Sequence, residues 1–347
     1  MVKIIFLGDI SLNSTYEEIL KQGIDPFSGL KDIFKASDFV IGNLECMIRG
    51  SDVNLKKYPR LATSREAYSM LDTLNLSLVT LAHNHVYDGL KEGFENTVGE
   101  LIRKNIYYIG ASTVKEESLQ PYLKNINGIR FCFLNYVTEN TTPALPDDCD
   151  VFINYYEKEK ILRDINRYRP VCDYIILLFH WGGDTEGYKQ PKLEQQADAR
   201  LFIDSGADLI VAGHSHVLQP YEIYKGKYIF YSLGNFCFGD IIRRGKVHSR
   251  PKVTKEGVIL ETVFSDNGYS IELYPVRNIN NIVQADPLIK KNLKKRIRIW
   301  NFISKNKSIF KIYYFTMRIS NKIWNLIRLA IKDWPLFYDK LSFYFKG

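Results

Sequence analysis

The sequence predicts an α/β domain followed by a basic helical tail. Three observations point there: short apolar runs that end in Gly, Asn, Asp or His, helix-period segments between those runs, and an abrupt change of charge near residue 287. The apolar runs fall at residues 2–7, 39–41, 76–81, 174–179, 209–212 and 228–233. They lead into Gly8-Asp9, Gly42-Asn43-Leu44-Glu45, Ala82-His83-Asn84-His85, His180-Trp181-Gly182, Gly213-His214-Ser215-His216 and Gly234-Asn235-Phe236. Runs of this kind are the pattern of strands buried on both faces.

Residues 64–73, opening at Ser64 with Glu66 close behind, are read as a helix. So are residues 90–104, where Phe94, Val98, Leu101 and Ile102 recur at helical spacing, and residues 193–204. The polar clusters sit where strands end, the edge at which open α/β sheets bind ligands. Residues 257–264 and 269–276 flank Asp266-Asn267-Gly268 and read as a hairpin, expected to add antiparallel edge strands to a second sheet.

The whole-chain charge of +8 hides a division. Residues 287–347 carry a net +13, and residues 1–286 a net −5. The positive field belongs to the tail, so nucleic acid is not an expected partner. The expected organisation is one domain over residues 1–280 and a basic amphipathic helical tail over residues 287–347. The five cysteines, Cys46, Cys132, Cys149, Cys172 and Cys237, are scattered and form no CxxC pair. They read as buried small hydrophobes, not as a disulfide framework or zinc site. The first residues offer one lysine and a short apolar run before Gly8-Asp9, too little for a signal peptide or a spanning helix. The expected location is the cytoplasm, peripheral to the inner face of the membrane.

Asp9, Glu45, Asn84, His85, His180, His214 and His216 are the candidate site. Carboxylate oxygens mixed with imidazole nitrogens suit Mn²⁺, Fe²⁺ or Zn²⁺. A bound ion of that kind activates water and polarises a phosphoryl or carbonyl oxygen. Gly213-His214-Ser215-His216 is the strongest single signal, because two His at i and i+2 after a buried strand reach one pocket if the chain turns there.

The order of Gly8-Asp9, Gly42-Asn43, Asn84-His85, His180 and Gly213-His214-Ser215-His216 resembles the motifs of the calcineurin-like metallophosphatases. Gly42-Asn43-Leu44-Glu45, Leu81-Ala82-His83-Asn84-His85-Val86-Tyr87-Asp88, His180-Trp181-Gly182 and the segments 213–222 and 231–238 look like signatures of the CapA family of capsule and poly-γ-glutamate synthesis. The resemblance covers about residues 2–240. It implies a four-layer αββα sandwich with the basic helical extension at its C-terminus. It implies Asp9 as ligand of one metal, Asn84, His180 and His214 as ligands of a second, and His216 as a ligand of the first. His85 would protonate the leaving group. Ser11 stands where many phosphatases have a histidine, and Asn43 where a bridging aspartate is usual. Glu45 is the candidate replacement for that bridge, and these departures favour one tight metal over two.

Around this set, Asp88, Asp184 and Glu186 are acidic residues near motif ends, with Asp184 and Glu186 competing to orient a histidine or a substrate amine. Asn235 is a candidate pocket-lining residue, and Arg60 a candidate grip on a substrate carboxylate or phosphate. His83 is read as structural, and His248 as solvated in a basic loop with Arg243, Arg244 and Lys246. In the tail, Trp300, Trp324 and Trp334 join a stripe of Ile319, Ile323, Ile327 and Ile331 flanked by Lys322, Arg328 and Lys332. That composition permits a membrane-surface segment or a docking surface for a partner enzyme. The function expected is metal-dependent hydrolysis of a phosphoester or peptide-like polyanion in cell-envelope polymer synthesis. The alternative is a non-catalytic accessory subunit of a synthesis or export complex.

Overall fold

In chain order the main elements are β1 (Val2–Ser11), α1 (Thr15–Lys21), β2 (Phe39–Leu44), β3 (Leu78–Thr80), α2 (Leu90–Arg103), β4 (Tyr107–Ile109), β5 (Tyr122–Ile126), β6 (Ile129–Val137) and α3 (Lys158–Tyr168). They continue with β7 (Tyr174–His180), α4 (Leu193–Asp204), β8 (Leu209–Gly213), β9 (Tyr221–Tyr224), β10 (Lys227–Phe230) and β11 (Asn235–Phe238). The last are β12 (Glu256–Ser265), β13 (Gly268–Ile279), β14 (Ile282–Ala285), α5 (Leu288–Ile303) and α6 (Lys307–Lys332). The computed structural model describes residues 1–51, 60–141, 145, 149–243 and 246–332. Tyr58, Pro59, Arg244, Gly245 and Trp334 lie outside the described residues, as do the side chains of Arg243, Lys322, Ile323, Trp324, Ile327, Arg328, Ile331 and Lys332.

Two sheets form the body of the fold among the described residues. One runs β14-β13-β12-β1-β2-β3-β4, with β11 also paired to β1. The other runs β9-β10-β8-β7-β6-β5. Alternation along β1 explains the layering. Ile4 and Phe6 enter one core with Ile41, Phe133, Ile176, Leu178, Leu209 and Val211, the space between the two sheets. Ile5 and Leu7 enter another with Val40, Val79, Phe94 and Leu101, beneath α2. On the far side, Ile161 and Ile165 of α3 are buried, and Phe202 of α4 meets the Phe179 ring at 5.8 Å. The order is helix, sheet, sheet, helix, a four-layer sandwich.

Two expectations need correction. The hairpin of β12 and β13 extends the sheet built on β1, pairing Val2 with Phe264 and Phe6 with Leu260. It does not join the second sheet, and β12 is interior: Val258, Leu260 and Phe264 enter the inter-sheet core while Ile259 enters the other. The second correction concerns residues 64–73. The segment is a 3₁₀ helix, Glu66–Leu74, with Ala67, Tyr68, Met70, Leu71 and Leu74 buried. Apolar residues three apart suit three residues per turn, and Asn75 ends it in the left-handed region at φ 50°.

The chain divides into units Met1–Ile297 and Arg298–Gly347. The first unit takes in the opening of α5. Ile289 and Leu293 are buried in the inter-sheet core, Arg296 donates to the Leu218 carbonyl, and it pairs with Glu256 at 3.1 Å. In the second unit Trp300 meets Phe310 edge to face at 6.1 Å. Among the described residues no helix is long and apolar enough to cross a membrane.

Candidate metal centre

The first sheet delivers one rim. Asp9 of β1 lies in register with Asn43 of β2 on one side and Asn235 of β11 on the other, and Asn43 is in register with Thr80 of β3. The Asp9 amide donates to the Gly234 carbonyl at 3.1 Å. That approach needs glycine at position 8, where a Cβ would stand 1.9 Å from the same oxygen. Thr80 Oγ1 donates to Asn43 Oδ1 at 3.0 Å, which turns Asn43 Nδ2 toward Asp9 Oδ1 at 2.8 Å and His180 Nδ1 at 3.2 Å.

The second sheet delivers the facing rim. His180 closes β7 opposite Gly213, the last residue of β8. A Cβ on Gly213 would lie 2.4 Å from Asp9 Oδ1, so the absent side chain is the space the carboxylate occupies. His214 and His216 then take positive φ, 93° and 56°. Positive φ is uncommon for non-glycine residues, though histidine tolerates it better than most. The turns bring the His214 amide to 3.4 Å from Asp9 Oδ2 and His216 Nδ1 to 3.2 Å from the same oxygen. His216 Nδ1 also lies 3.0 Å from Asn235 Oδ1, and Asn235 Nδ2 donates to the Thr254 carbonyl at 2.7 Å. His214 Nε2 donates to the Gly183 carbonyl at 2.7 Å.

Glu45, just past β2, stands at the middle. It is fully buried, and Nε2 of His85, His180 and His216 lie 3.8, 3.8 and 3.7 Å from its Oε1. Among the described residues neither Glu45 oxygen has a hydrogen-bond partner, and the same holds for His214 Nδ1. Donor atoms of Asp9, Glu45 and His180 all lie within 4.8 Å of one another. Buried polar atoms are nearly always paired, so a carboxylate left bare amid imidazoles is a set of donors shaped for a cation. The mixed oxygen and nitrogen set fits a borderline divalent ion.

The electrostatics agree with that reading. Burial pushes the Glu45 carboxyl well above the usual range, with Asp9 and Glu186 adding to the rise and His216 and Arg250 opposing it. Burial pulls the His216 imidazole down, but Glu45 and Asp9 outweigh it and lift it to about 9. His180 is held well below the ordinary histidine value by burial and then by the neighbouring imidazoles. Burial also lowers His214. His180 and His214 are therefore neutral at pH 7, the state in which an imidazole can ligate.

The remaining candidates fall into place around this centre. Asn84 Oδ1 lies 2.8 Å from His180 Nε2, so the two atoms can serve as neighbouring donors to one ion. Asp88 Oδ2 lies 2.5 Å from His85 Nδ1 and accepts the Leu61 amide at 2.6 Å. Arg60, half-buried, directly precedes that Leu61. His83 is buried and its Nδ1 accepts the His85 amide at 3.1 Å, a structural contact. Ser11 donates to Asn13 Oδ1 at 2.7 Å, so the hydroxyl at the position usual for histidine is engaged locally. Asp184 pairs with Lys192 at 2.8 Å on the surface. Glu186 is exposed but within electrostatic reach of the centre: desolvation would raise its carboxyl, but His216, His214, His85 and Arg250 together hold it below the usual glutamate range. Sequence reasoning missed Thr80 and Arg250. Thr80 had a signal, since it lies in the same apolar run, residues 76–81, that leads to Asn84.

A model of the bacterial capsule synthesis protein PGA_cap family matches residues 3–240. The PGA biosynthesis protein CapA of Bacillus subtilis is 29% identical over 322 residues, 88% of this chain and 79% of its own length. The capsule biosynthesis protein CapA of Bacillus anthracis is 27% identical over 318 residues, 87% of this chain and 72% of its own length. Among solved structures, a novel phosphatase from Mycoplasma pneumoniae aligns with TM-score 0.51 at 16% identity, over 84% of this chain and 96% of that one. A hypothetical protein from Thermus thermophilus aligns with TM-score 0.50 at 17% identity, over 82% of this chain and 100% of that one. At such identities these structures speak to the fold alone, a layered α/β sandwich.

Proposed function

This chain belongs to the bacterial capsule synthesis protein PGA_cap family, and from that premise we propose that it is a metal-dependent hydrolase of capsule or poly-γ-glutamate synthesis, acting on a phosphoester or a peptide-like polyanion. The observation that carries the reading is Glu45, whose two buried oxygens lack hydrogen-bond partners among the described residues while three imidazole nitrogens face it. Asp9, Glu45, Asn84, His180, His214 and His216 would hold one Mn²⁺, Fe²⁺ or Zn²⁺. Such an ion, when bound, lowers the pKa of water and polarises the electrophile.

The protein's own groups do the rest. Asp88 accepts the Nδ1 proton of His85 and is itself held by the Leu61 amide, so the ring is fixed. Beside the Asp88 carboxylate the ring can carry a proton on both nitrogens, and in that imidazolium form His85 Nε2 would hand its proton to the leaving group, leaving a neutral ring with its Nδ1–H still on Asp88. The buried setting excludes water that would screen these charges. Asn235 holds His216 in orientation through Thr254.

The test is metal content of the purified full chain together with turnover of a chromogenic phosphoester. Bound metal, with turnover lost in His85→Ala while the metal is retained, supports the hydrolase. A metal-free protein without turnover after Mn²⁺, Fe²⁺ or Zn²⁺ is added sinks it. A second reading, an accessory subunit using the centre as a binding pocket, is favoured by Asn43 at the bridging position and by the engaged Ser11. On either reading the tail, with its net +13 over residues 287–347, serves as a contact to an anionic membrane surface at the cytoplasmic face or to a partner enzyme.

A further inference from the structure

Arg250 lies outside every motif, yet its side chain is built into the mouth of the metal centre. Its guanidinium rests on the Phe238 ring, with Cζ 4.0 Å from the centroid. The same ring meets His216, at 4.7 Å between centroids. Arg250 Nε donates to the Gly239 carbonyl at 3.2 Å. The segment around it is stapled by a single carboxylate: Asp240 accepts from the Arg250 amide at 2.7 Å, Ser249 Oγ at 3.1 Å and Lys255 Nζ at 2.9 Å. A few residues on, the Thr254 carbonyl holds Asn235 and through it His216. The arginine is thus fixed to the same scaffold that aims the metal-site histidine.

Its two terminal nitrogens meet no hydrogen-bond partner among the described residues, since Nε alone is engaged. The side chain is within electrostatic reach of Glu186, Glu45 and Asp9, the acidic groups of the centre. A planar cation whose stem and Nε are tied down, and whose fork is uncommitted, is organised for a two-oxygen ligand. Stacking on the aromatic ring adds to that rigidity at little entropic cost.

We propose that Arg250 is the substrate's oxyanion clamp: its two terminal nitrogens grip two oxygens of a phosphate or carboxylate group presented to the metal centre. The inference deepens the hydrolase reading and rests on it for the word substrate, but the binding step is separable. Glu186, an exposed acid within electrostatic reach of Arg250, then repels a second anion and favours a ligand with one oxyanion at this position.

The experiment titrates inorganic phosphate and, separately, glutarate into the full chain by calorimetry. It compares wild type with Arg250→Gln and Arg250→Lys, each both chelated and loaded with Mn²⁺. Melting temperature and metal content of the variants are matched to wild type first. The expected result is a loss of at least about tenfold in affinity for one probe in Arg250→Gln, the scale of a charge-assisted hydrogen bond. Only partial recovery is expected in Arg250→Lys, which keeps the charge without the fork. Whichever probe loses affinity identifies the oxyanion as phosphate or carboxylate. If the loss occurs in the chelated protein while no metal ever binds, the clamp stands and the hydrolase reading falls. Equal affinities in wild type and Arg250→Gln for both probes, or no binding of either probe by wild type, overturn the clamp.

Discussion

Glu45 Oε1 lies 3.7 Å from His216 Nε2, and no donor among the described residues reaches either oxygen of that carboxylate. A buried acid held this way costs the metal-free fold free energy that a ligand later returns. Replacing Glu45 by Met fills similar volume without a charge. The metal-free protein should gain about 1–3 kcal/mol, the penalty of an unsatisfied buried polar group. Its thermal stabilisation by Mn²⁺ should disappear. A Glu45→Met variant that melts lower than chelated wild type, or still gains stability from Mn²⁺, would contradict this account.

His216 sets the sign of the pH dependence. Its folded value is about 9, against 6.5 for an unperturbed imidazole. A raised folded value stabilises the metal-free protein fully below 6.5, and that contribution is lost as pH rises through 9. Glu45, also raised, acts in the same direction. Metal must displace these protons, so binding strengthens as pH climbs over the same window. Melting curves taken from pH 6.5 up to about 9 should show the chelated protein losing stability while the increment from Mn²⁺ grows. A chelated protein whose melting temperature rises across that range would refute the assignment.

Most of this centre can be read from sequence because each contributor ends a buried strand. Parallel pairing places strand ends side by side, so register joins Asp9 to Asn43 in one sheet and His180 to Gly213 in the other, and packing of the two sheets brings the pairs together. What sequence leaves open is decided by turns. Gly182 and Gly183 follow His180 with φ of 128° and 59°, and past the resulting bend Asp184 pairs with Lys192 while Glu186 stays within electrostatic reach of the centre's histidines. Alternation of side chains cannot choose between two acids two positions apart once the strand has ended. Arg250 is hidden for another reason. Its neighbours in sequence are basic and polar, and its place depends on Asp240 and on the face of Phe238, contacts that no periodicity announces. The hairpin of β12 and β13 was legible as a hairpin, but its sheet was not, because both sheets offer β1-like apolar partners.

Gly213 tests how tightly the two sheets close around Asp9. A methyl group added there would meet Oδ1 at 2.4 Å and Cγ at 3.3 Å. Asp9 is short and tied to Asn43 and His216, so the carboxylate must rotate out of place. Gly213→Ala should weaken metal binding about 10- to 100-fold, the range seen when a ligand's orientation is disturbed. Equilibrium dialysis with Mn²⁺ measures it, and unchanged affinity would show that Asp9 is not a ligand.

Asp88 acts on chemistry through His85. Removing its charge while keeping its shape, in Asp88→Asn, leaves the Leu61 amide an acceptor but weakens the hold on Nδ1. Turnover of a phosphoester should fall about 10²- to 10⁴-fold, the contribution of a positioned proton donor. Bound metal should stay at the wild-type level, because Asp88 acts on the His85 ring and not on the proposed ligands. Loss of metal together with activity would assign Asp88 to the fold of the centre instead.

Asn43 decides how many ions the centre takes. Its Nδ2 donates to Asp9 Oδ1 at 2.8 Å and faces His180 Nδ1 at 3.2 Å, so a donor stands between two groups that a second cation would need. Asn43→Asp exchanges that donor for an oxygen. Without metal, two carboxylates then face each other across a hydrogen-bond distance, and the fold should lose about 1–3 kcal/mol. With metal, the new oxygen is a ligand between Asp9 and His180. The number of ions per chain should rise from one to two, read by elemental analysis after equilibration with excess Mn²⁺. Thr80 Oγ1, now donating to Asn43 Oδ1, would keep the new side chain in its present rotamer. Wild type already holding two ions, or the variant still holding one, would show that the amide at position 43 does not set the count.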